Sequence, residues 1–279
     1  MNNFELFKLK KAGLTNLQIL NILDYQKKVG KSLSLRDMAV VSQTSKAGHF
    51  MESYKHLDLK ALRQQFNQFP SLSILDKEYP ENLIQIYNPP VLLFYQGDLT
   101  LLDTPKLSIV GSRDCTNLGT KSVQKLIREL ENHFVIVSGL ARGIDTAAHI
   151  ACLKNGGKTI AVIGTGLDIF YPKENRDLQE YLTKHHLVLT EYESGQAPLK
   201  FHFPERNRII AGLSQGTVVV EAKQRSGSLI TCERAMEEGR DVFAVPGNIL
   251  DGRSDGCHHL IQEGAKCLMT GLDILEEYD

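Results

Sequence analysis

The residues best equipped for chemistry in this sequence are glycines, serines and cations placed where apolar runs stop. Leu107, Ile109 and Val110 run into Gly111-Ser112-Arg113, and a second run ends at Ser138-Gly139 with Arg142 close behind. Later runs end at Gly164-Thr165-Gly166, Glu191-Tyr192, Glu221-Ala222-Lys223 and Pro246-Gly247. Small residues let a backbone approach a ligand closely, and the free N–H groups and dipole of a helix start attract an anion. Two segments add more cations: YPKENR (171–176) carries Lys173, and LKFHFPERNRI (199–209) carries Lys200, Arg206 and Arg208 among Phe201, His202 and Phe203. In KQRSGSLIT (223–231), Lys223 and Arg225 precede Ser226-Gly227-Ser228 at a helix start. A single turn of this kind does no more than cap a helix. Several together offer more phosphate positions than one mononucleotide carries, and the interleaved aromatics offer faces to unpaired bases, as in single-strand grooves. Taken singly, each residue is accounted for by core packing or an ordinary surface ion pair; only the set points to a polynucleotide.

Catalytic patterns are weaker. The turn at Gly111 lacks the G-x-G-x-x-G dinucleotide fingerprint, no Walker lysine motif is present, and Ser138-Gly139-Leu140 is not a G-x-S-x-G elbow. Asp145 and His149 stand four residues apart, so on a helix they share a face, either as base and orienter or as a lock on the helix start. Glu233 is the best-placed base for a nucleotide-cleaving enzyme, and reads equally as a solvated helix carboxylate. Cys257, His258 and His259 are adjacent and would point about 100° apart on a helix, while His149 and Cys152 have no second pair, so no metal site is expected.

Composition bounds the partners. The 279 residues carry a formal net charge of -1 and are 42% hydrophobic and 23% charged, so a nucleic-acid site must be a local patch on a balanced surface. No stretch reaches the roughly 18 consecutive apolar residues of a membrane span, and the N-terminus lacks a signal-peptide core. Five cysteines without a C-x-x-C read as reduced thiols of a cytoplasmic protein.

Elements must position these residues. Residues 1–65 read as short helices: Thr15 caps LQILNILDYQKKV, SLRDMAVVS and HFMESYKHLDLKALRQQF follow, and Gly13, Gly30 and Gly48 punctuate them. Residues 66–105 contain turn prolines and two short strand-like runs, SLSIL and VLLFYQG, which predict edge strands or a wrap. From residue 106 to 279, apolar runs (LSIV, FVIVSG, TIAVIG, LVLTEY, TVVVEA, DVFAVPG and a weaker AKCLMT) alternate with helix patterns. Near-continuous Val/Ile/Leu runs suit strands buried on both faces, and the alternation predicts βαβ units. The expected fold is α/β: an extended Rossmann-like, doubly wound and mostly parallel sheet behind a small all-α domain. In such sheets ligands bind beyond the strands' carboxyl ends, where strand order reverses.

Long, ordered motifs carry a family resemblance. GSR (111–113), SGLARGIDTAAH (138–149), AVIGTGLDIFYPKEN (161–175), FPERNRIIAGLS (203–214), EAKQRSGSLITCERAMEEGRDVFAVPG (221–247) and SDGCHHLIQEGA (254–265) resemble the DNA-processing protein A (DprA/Smf) family. The match runs from about Phe69 to the end, and the first helices are compatible with the sterile-alpha-motif-like domain of some members. The resemblance implies a non-enzymatic protein that binds and protects incoming single-stranded DNA during natural transformation and loads the RecA recombinase onto it. It implies a DNA site of Gly111, Ser112, Arg113, Gly139 and Lys173, with Lys200, Arg206, Asn207 and Arg208 opposite and Ser226, Gly227 and Ser228 closing it. It also implies a homodimer, for which His258, Leu260, Ile261, Cys267 and Leu268 are candidates that core packing explains about as well, and Met236 is a guess at a RecA contact. No cofactor is expected. The alternative is a Rossmann-fold nucleotide hydrolase or sensor of the lysine-decarboxylase-like group, whose phosphate turn RSGSLITCE echoes loosely.

Overall fold

The computed structural model describes residues 1–278. Five helices open the chain: α1 (Asn3–Lys11), α2 (Asn16–Val29), α3 (Leu35–Val41), α4 (Ala47–Lys55) and α5 (Leu59–Phe66). Local side chains set their starts. Thr15 with Gln18 and Ser34 with Asp37 form reciprocal capping boxes, and Gly30 ends α2 in the left-handed conformation at φ 68°. The stretch 49–66, read from sequence as one helical segment, breaks because the Asp58 carboxylate accepts from the Lys60 and Ala61 N–H groups and starts α5 afresh.

Then come β1 (Ser71–Ser73), α6 (Glu81–Ile84), β2 (Leu92–Gly97), β3 (Lys106–Gly111), α7 (Asn117–Glu129), β4 (Val135–Ser138), α8 (Ile144–Lys154), β5 (Thr159–Ile163) and α9 (Arg176–His185). The chain continues through β6 (Leu187–Thr190), α10 (His202–Leu213), β7 (Gly216–Val220), α11 (Gly227–Glu237), β8 (Asp241–Ala244), α12 (Asp255–Gln262), β9 (Lys266–Cys267) and α13 (Leu272–Tyr278). The strands form one sheet in the order β1-β2-β6-β5-β4-β3-β7-β8-β9, with β6 to β9 parallel throughout and β1 and β2 antiparallel at one edge. The chain leaves β3 towards β4 on one side and returns from β6 to β7 on the other. The reversal therefore falls between β3 and β7, paired from Leu107–Gly216 to Gly111–Val220.

Residue alternation along the strands divides the core into layers. Val110, Val137, Val162, Leu189 and Val219 pack with Ile209, Ile210, Cys232, Ala235, Cys257 and Leu260 of α10, α11 and α12. On the opposite face, Leu107, Ile109, Ile136 and Val218 meet Val123, Leu126, Ile144 and Ala148 of α7 and α8. Farther along that face, Ala161, Ile163, Val188, Leu92 and Phe94 share one cluster with Leu182 of α9 and with Phe4, Phe7 and Phe50 of the first helices. The rings of Phe7, Phe66 and Phe94 meet at centroid distances of 5.5–6.0 Å. The helical unit and the sheet thus close a common core.

A polar hub reinforces that junction. Glu191, just after β6, has a side chain only 8% exposed. It accepts from Lys10 at 3.0 Å, from Asn16 at 2.7 Å and from Arg208 of α10 at 2.6 Å. Burial pushes its carboxyl up, but Lys10, Arg208 and the Asn16 hydrogen bond outweigh burial and hold it at about 2. Because the folded value lies below the ordinary 4.5, the group's contribution to stability is complete above that value and is lost as pH falls towards about 2. Glu191→Gln leaves Lys10 and Arg208 short of a counter-charge. Urea denaturation near neutral pH is expected to show a loss of about 3 kcal/mol. The variant's stability should also fall less steeply than the wild type's as pH drops below 4.5. Unchanged stability and an unchanged pH profile would discount the hub.

Candidate nucleic-acid interface

At the strand reversal the carboxyl ends of β3, β4 and β7 open onto a groove of about 610 Å³. Ser112 and Arg113 follow β3 on one side, Lys200, Phe203 and Asn207 belong to α10 and the segment before it, and Lys223 leads into the Ser226-Gly227-Ser228 turn. Arg113, Lys200 and Lys223 are exposed, and among the described residues none of the three forms an ion pair. The Arg113 guanidinium lies 5.6 Å from the centroid of Phe203, whose ring stands 5.4 Å from that of Tyr171. Cation and aromatic faces therefore alternate within one hollow. A smaller recess continues from it past Gly139, Arg142 and Gly164 to Tyr171 and Pro172.

The two helix starts at the reversal differ. A Rossmann turn ordinarily offers its first helix to a phosphate. Here the Glu221 carboxylate fills that place: it accepts from the Thr116 N–H at 2.7 Å and from the Thr116 hydroxyl, while Thr116 Oγ1 accepts from the Gly119 N–H at 3.1 Å to cap α7. The missing dinucleotide fingerprint follows from this, because the anion seat on α7 is taken from within. The start of α11 is different. Ser226 occupies its capping position without a side-chain cap, and its hydroxyl pairs with that of Ser228 at 2.7 Å. The N–H groups of Gly227 and Ser228, in the first turn, have no intrahelical partners and border the groove.

Helix α10 sends Arg206, Asn207 and Arg208 in different directions, and this corrects the expectation that Arg206 and Arg208 are phosphate ligands. Arg206 is 4% exposed and lies under the groove floor, where it donates to the Gly139 carbonyl at 2.6 Å, to the Val162 carbonyl, and from Nε to Asn207 Oδ1 at 3.2 Å. Burial lowers its pKa to about 10, opposed by the buried Asp145 carboxylate, so it stays charged. Gly139 owes its identity to this contact, since a Cβ there would overlap the Arg206 guanidinium. Gly111 is likewise a packing requirement, because a Cβ would strike the Val220 carbonyl and the Ile144 side chain. Asn207 donates to the Gly227 carbonyl at 3.1 Å and so fixes the Ser226-Gly227-Ser228 turn. Arg208 points away from the groove to Glu191, as a residue two positions beyond Arg206 must on a helix. Lys173 is exposed on a short turn beyond Tyr171 and Pro172, outside the main hollow.

Other expectations also change. Asp145 and His149 do not pair: Asp145 accepts from the Ala141 N–H at 3.3 Å, and His149, fully buried with its pKa brought down to about 3 by burial, meets Thr159 Oγ1 at 2.7 Å. Glu233 is exposed and does not line the groove, which takes Ser228 and Thr231 from the same helix. Of the candidate interface residues, Leu260 and Leu268 belong to the core; they cover β8 and the α7–α8 layer and are not available to a partner. Ile261 and His258 are half-buried, while Cys267 is exposed on the open edge strand β9. Met236 is 39% exposed on α11. Tyr171, the place of Asp145 beside Arg206 and the capping role of Glu221 escaped the sequence reading. Only Tyr171, beside Lys173 in YPKENR, carried a local signal.

Comparison with known proteins agrees with this arrangement. A family model for DNA recombination-mediator protein A matches residues 71–279, and one for the DNA processing protein A sterile alpha motif domain matches residues 1–62. DNA processing protein DprA of Streptococcus pneumoniae is 62% identical over 279 residues, covering 100% of this chain and 99% of the relative. The Bacillus subtilis DprA is 48% identical over 222 residues, 78% of this chain and 74% of the relative. The X-ray structure of the S. pneumoniae protein superposes with a TM-score of 0.98 at 63% identity, covering 99% of this chain and 98% of that one. The Helicobacter pylori DNA processing protein A, whose structure describes its single-stranded DNA binding mode, superposes with a TM-score of 0.68 at 32% identity over 76% of this chain and 95% of that one. With both of its parts matched and a full-length relative of this similarity, the chain belongs to the DNA recombination-mediator protein A (DprA) family of DNA-processing proteins.

Proposed function

We propose that the groove at the β3–β7 reversal holds the backbone of single-stranded DNA, and that the protein protects the strand and loads the RecA recombinase onto it during natural transformation. The observation that carries this reading is the set of exposed, ion-pair-free cations, Arg113, Lys200 and Lys223, around the open start of α11. The single-stranded DNA binding described for the H. pylori relative supports the choice of ligand. Phosphates would lie on Arg113, Lys200, Lys223 and the N–H groups of Gly227 and Ser228, with Lys173 and Ser112 at the margins. Gly111, Gly139, Arg206, Asn207 and Ser226 shape the groove, and Arg208 serves the hub at Glu191. We take residues 66–279 as the DNA-binding unit and residues 1–65 as its helical companion. RecA would meet the outer face of α11 at Met236. A second copy would pair through the open edge at β9 near Cys267, Ile261 and His258, so that two modest sites on one strand reinforce each other. RecA loading would place the protein in the cytoplasm. No catalytic step is assigned, since of the two carboxylates lining the groove Glu221 is spent on capping α7 and Asp145 is buried and accepts from the Ala141 N–H.

Titration of a long single strand across a salt series tests the site. Arg113→Ala, Lys200→Ala and Lys223→Ala should each weaken binding to all sequences alike and lower the slope of log K against log salt by about 0.7 per lost contact. Arg208→Ala should leave that slope where it is. Wild-type slopes in the cation variants would overturn the site.

Arg206→Ala should separate scaffold from contact. Removing the guanidinium leaves the Gly139 and Val162 carbonyls unpaired, and thermal melting should show a loss of about 2–3 kcal/mol along with weakened binding. Arg113→Ala should weaken binding without moving the melt.

A further inference from the structure

We infer that Ile249 and Leu250 form an apolar platform for the bases of the strand whose phosphates lie in the adjoining groove. The inference rests on the DNA reading above and extends it from the backbone to the bases. The two side chains are 79% and 88% exposed, side by side on the loop that joins β8 to α12. A loop apex is an ordinary place for polar residues, so two aliphatic residues held in water need an occupant.

The loop is built rather than loose. The Leu250 N–H donates to Asn248 Oδ1 at 2.8 Å and the Arg253 N–H to Asp251 Oδ1 at 2.9 Å. Its C-terminal end is tied to the two segments that line the groove. The Arg253 guanidinium donates to the carbonyl of Asp114, the residue after Arg113, at 3.2 Å. Where the loop enters α12, the Gly256 N–H donates to the Ala222 carbonyl at 2.8 Å, beneath Lys223. The platform therefore belongs to the same sheet edge as the groove.

Charge selects the occupant. The exposed cations bordering this stretch are Arg113, Lys223 and Arg225, continuous with the phosphate site. Of the nearby carboxylates, Asp251 accepts from the Arg253 N–H and Asp255 lies over Gly252, while Asp114 is exposed next to Arg113. An apolar surface fringed by free cations suits a ligand with anionic backbone and flat apolar faces. In a duplex the bases are stacked away, so the platform also supplies a reason for preferring single strands.

The test compares two long strands of equal length, one of thymidine and one of abasic phosphodiester, on the full-length wild-type protein and on the double variant Ile249→Ser, Leu250→Ser. The wild type should bind the thymidine strand roughly tenfold more tightly than the abasic one. The double variant should lose most of that difference by weakening on thymidine alone, with an unchanged melting temperature. Equal binding of both strands by the wild type, or a double variant that keeps the difference, overturns the platform while leaving the phosphate site standing. A double variant that weakens equally on both strands overturns it as well, because the loop then acts on the backbone. A wild type that binds neither strand overturns the DNA reading with it.

Discussion

The arrangement of this protein depends on one buried guanidinium. Arg206 reaches from α10 to the carbonyls of Gly139 and Val162, which close the ends of β4 and β5, so a helix on one face is pinned to the rim of the sheet. A buried charge is tolerated only where hydrogen bonds and opposite charge replace water, and here backbone carbonyls, Asn207 and the carboxylate of Asp145 do so. The same side chain gives the groove floor a fixed positive charge that no mobile residue supplies. Asn207, next in sequence, carries the constraint on to the start of α11. Floor and wall are consequently set by two consecutive residues of a single helix.

Much of the fold was legible because the core strands obey one rule. LSIV, FVIVSG, TIAVIG, LVLTEY, TVVVEA and DVFAVPG became strands whose apolar runs are covered on both faces, while the weaker AKCLMT gave only the short exposed edge strand β9. The break between α4 and α5 was less visible because the Asp58 cap lies inside an otherwise helical run. The site was legible in outline: the turn after β3, Lys200 and the Ser226-Gly227-Ser228 turn converge on one groove. The assignment failed where one helix is covered on more than one side. In the run Arg206-Asn207-Arg208 the charges look alike, yet the first goes to the floor and the third to Glu191, and nothing local distinguishes them. Glu191 joins Lys10 and Asn16 across 181 and 175 positions of chain, a span that no motif in one sequence encodes. Leu260 and Leu268 looked available for the same reason: an apolar residue near a chain end carries no mark of which layer it fills.

The two units are joined through chemistry of two kinds. The aromatic contact of Phe7 and Phe66 with Phe94 is short-ranged and insensitive to pH, whereas the hub at Glu191 is ionic and links α1, α2 and α10. Through Arg208 the hub grips the helix whose other face carries Arg206. Any shift of the helical unit is therefore transmitted to α10 as a rigid element, along a path of directly bonded side chains.

The Glu221 cap on α7 has a consequence for how a ligand can move. Of the two helix starts at the reversal, one is occupied by the protein's own carboxylate, and in the proposed site much of the remaining grip falls to long, flexible stems at Arg113, Lys200 and Lys223. A helix start dictates where an anion sits, because its N–H groups are fixed in the backbone; a lysine or arginine stem follows its anion over several ångströms. Such a grip imposes no strict spacing on successive charges, so a polyanion can creep along it by one repeat without first letting go. For the proposed hand-over of a bound strand to RecA, loose registry is an asset that a well-shaped nucleotide pocket lacks.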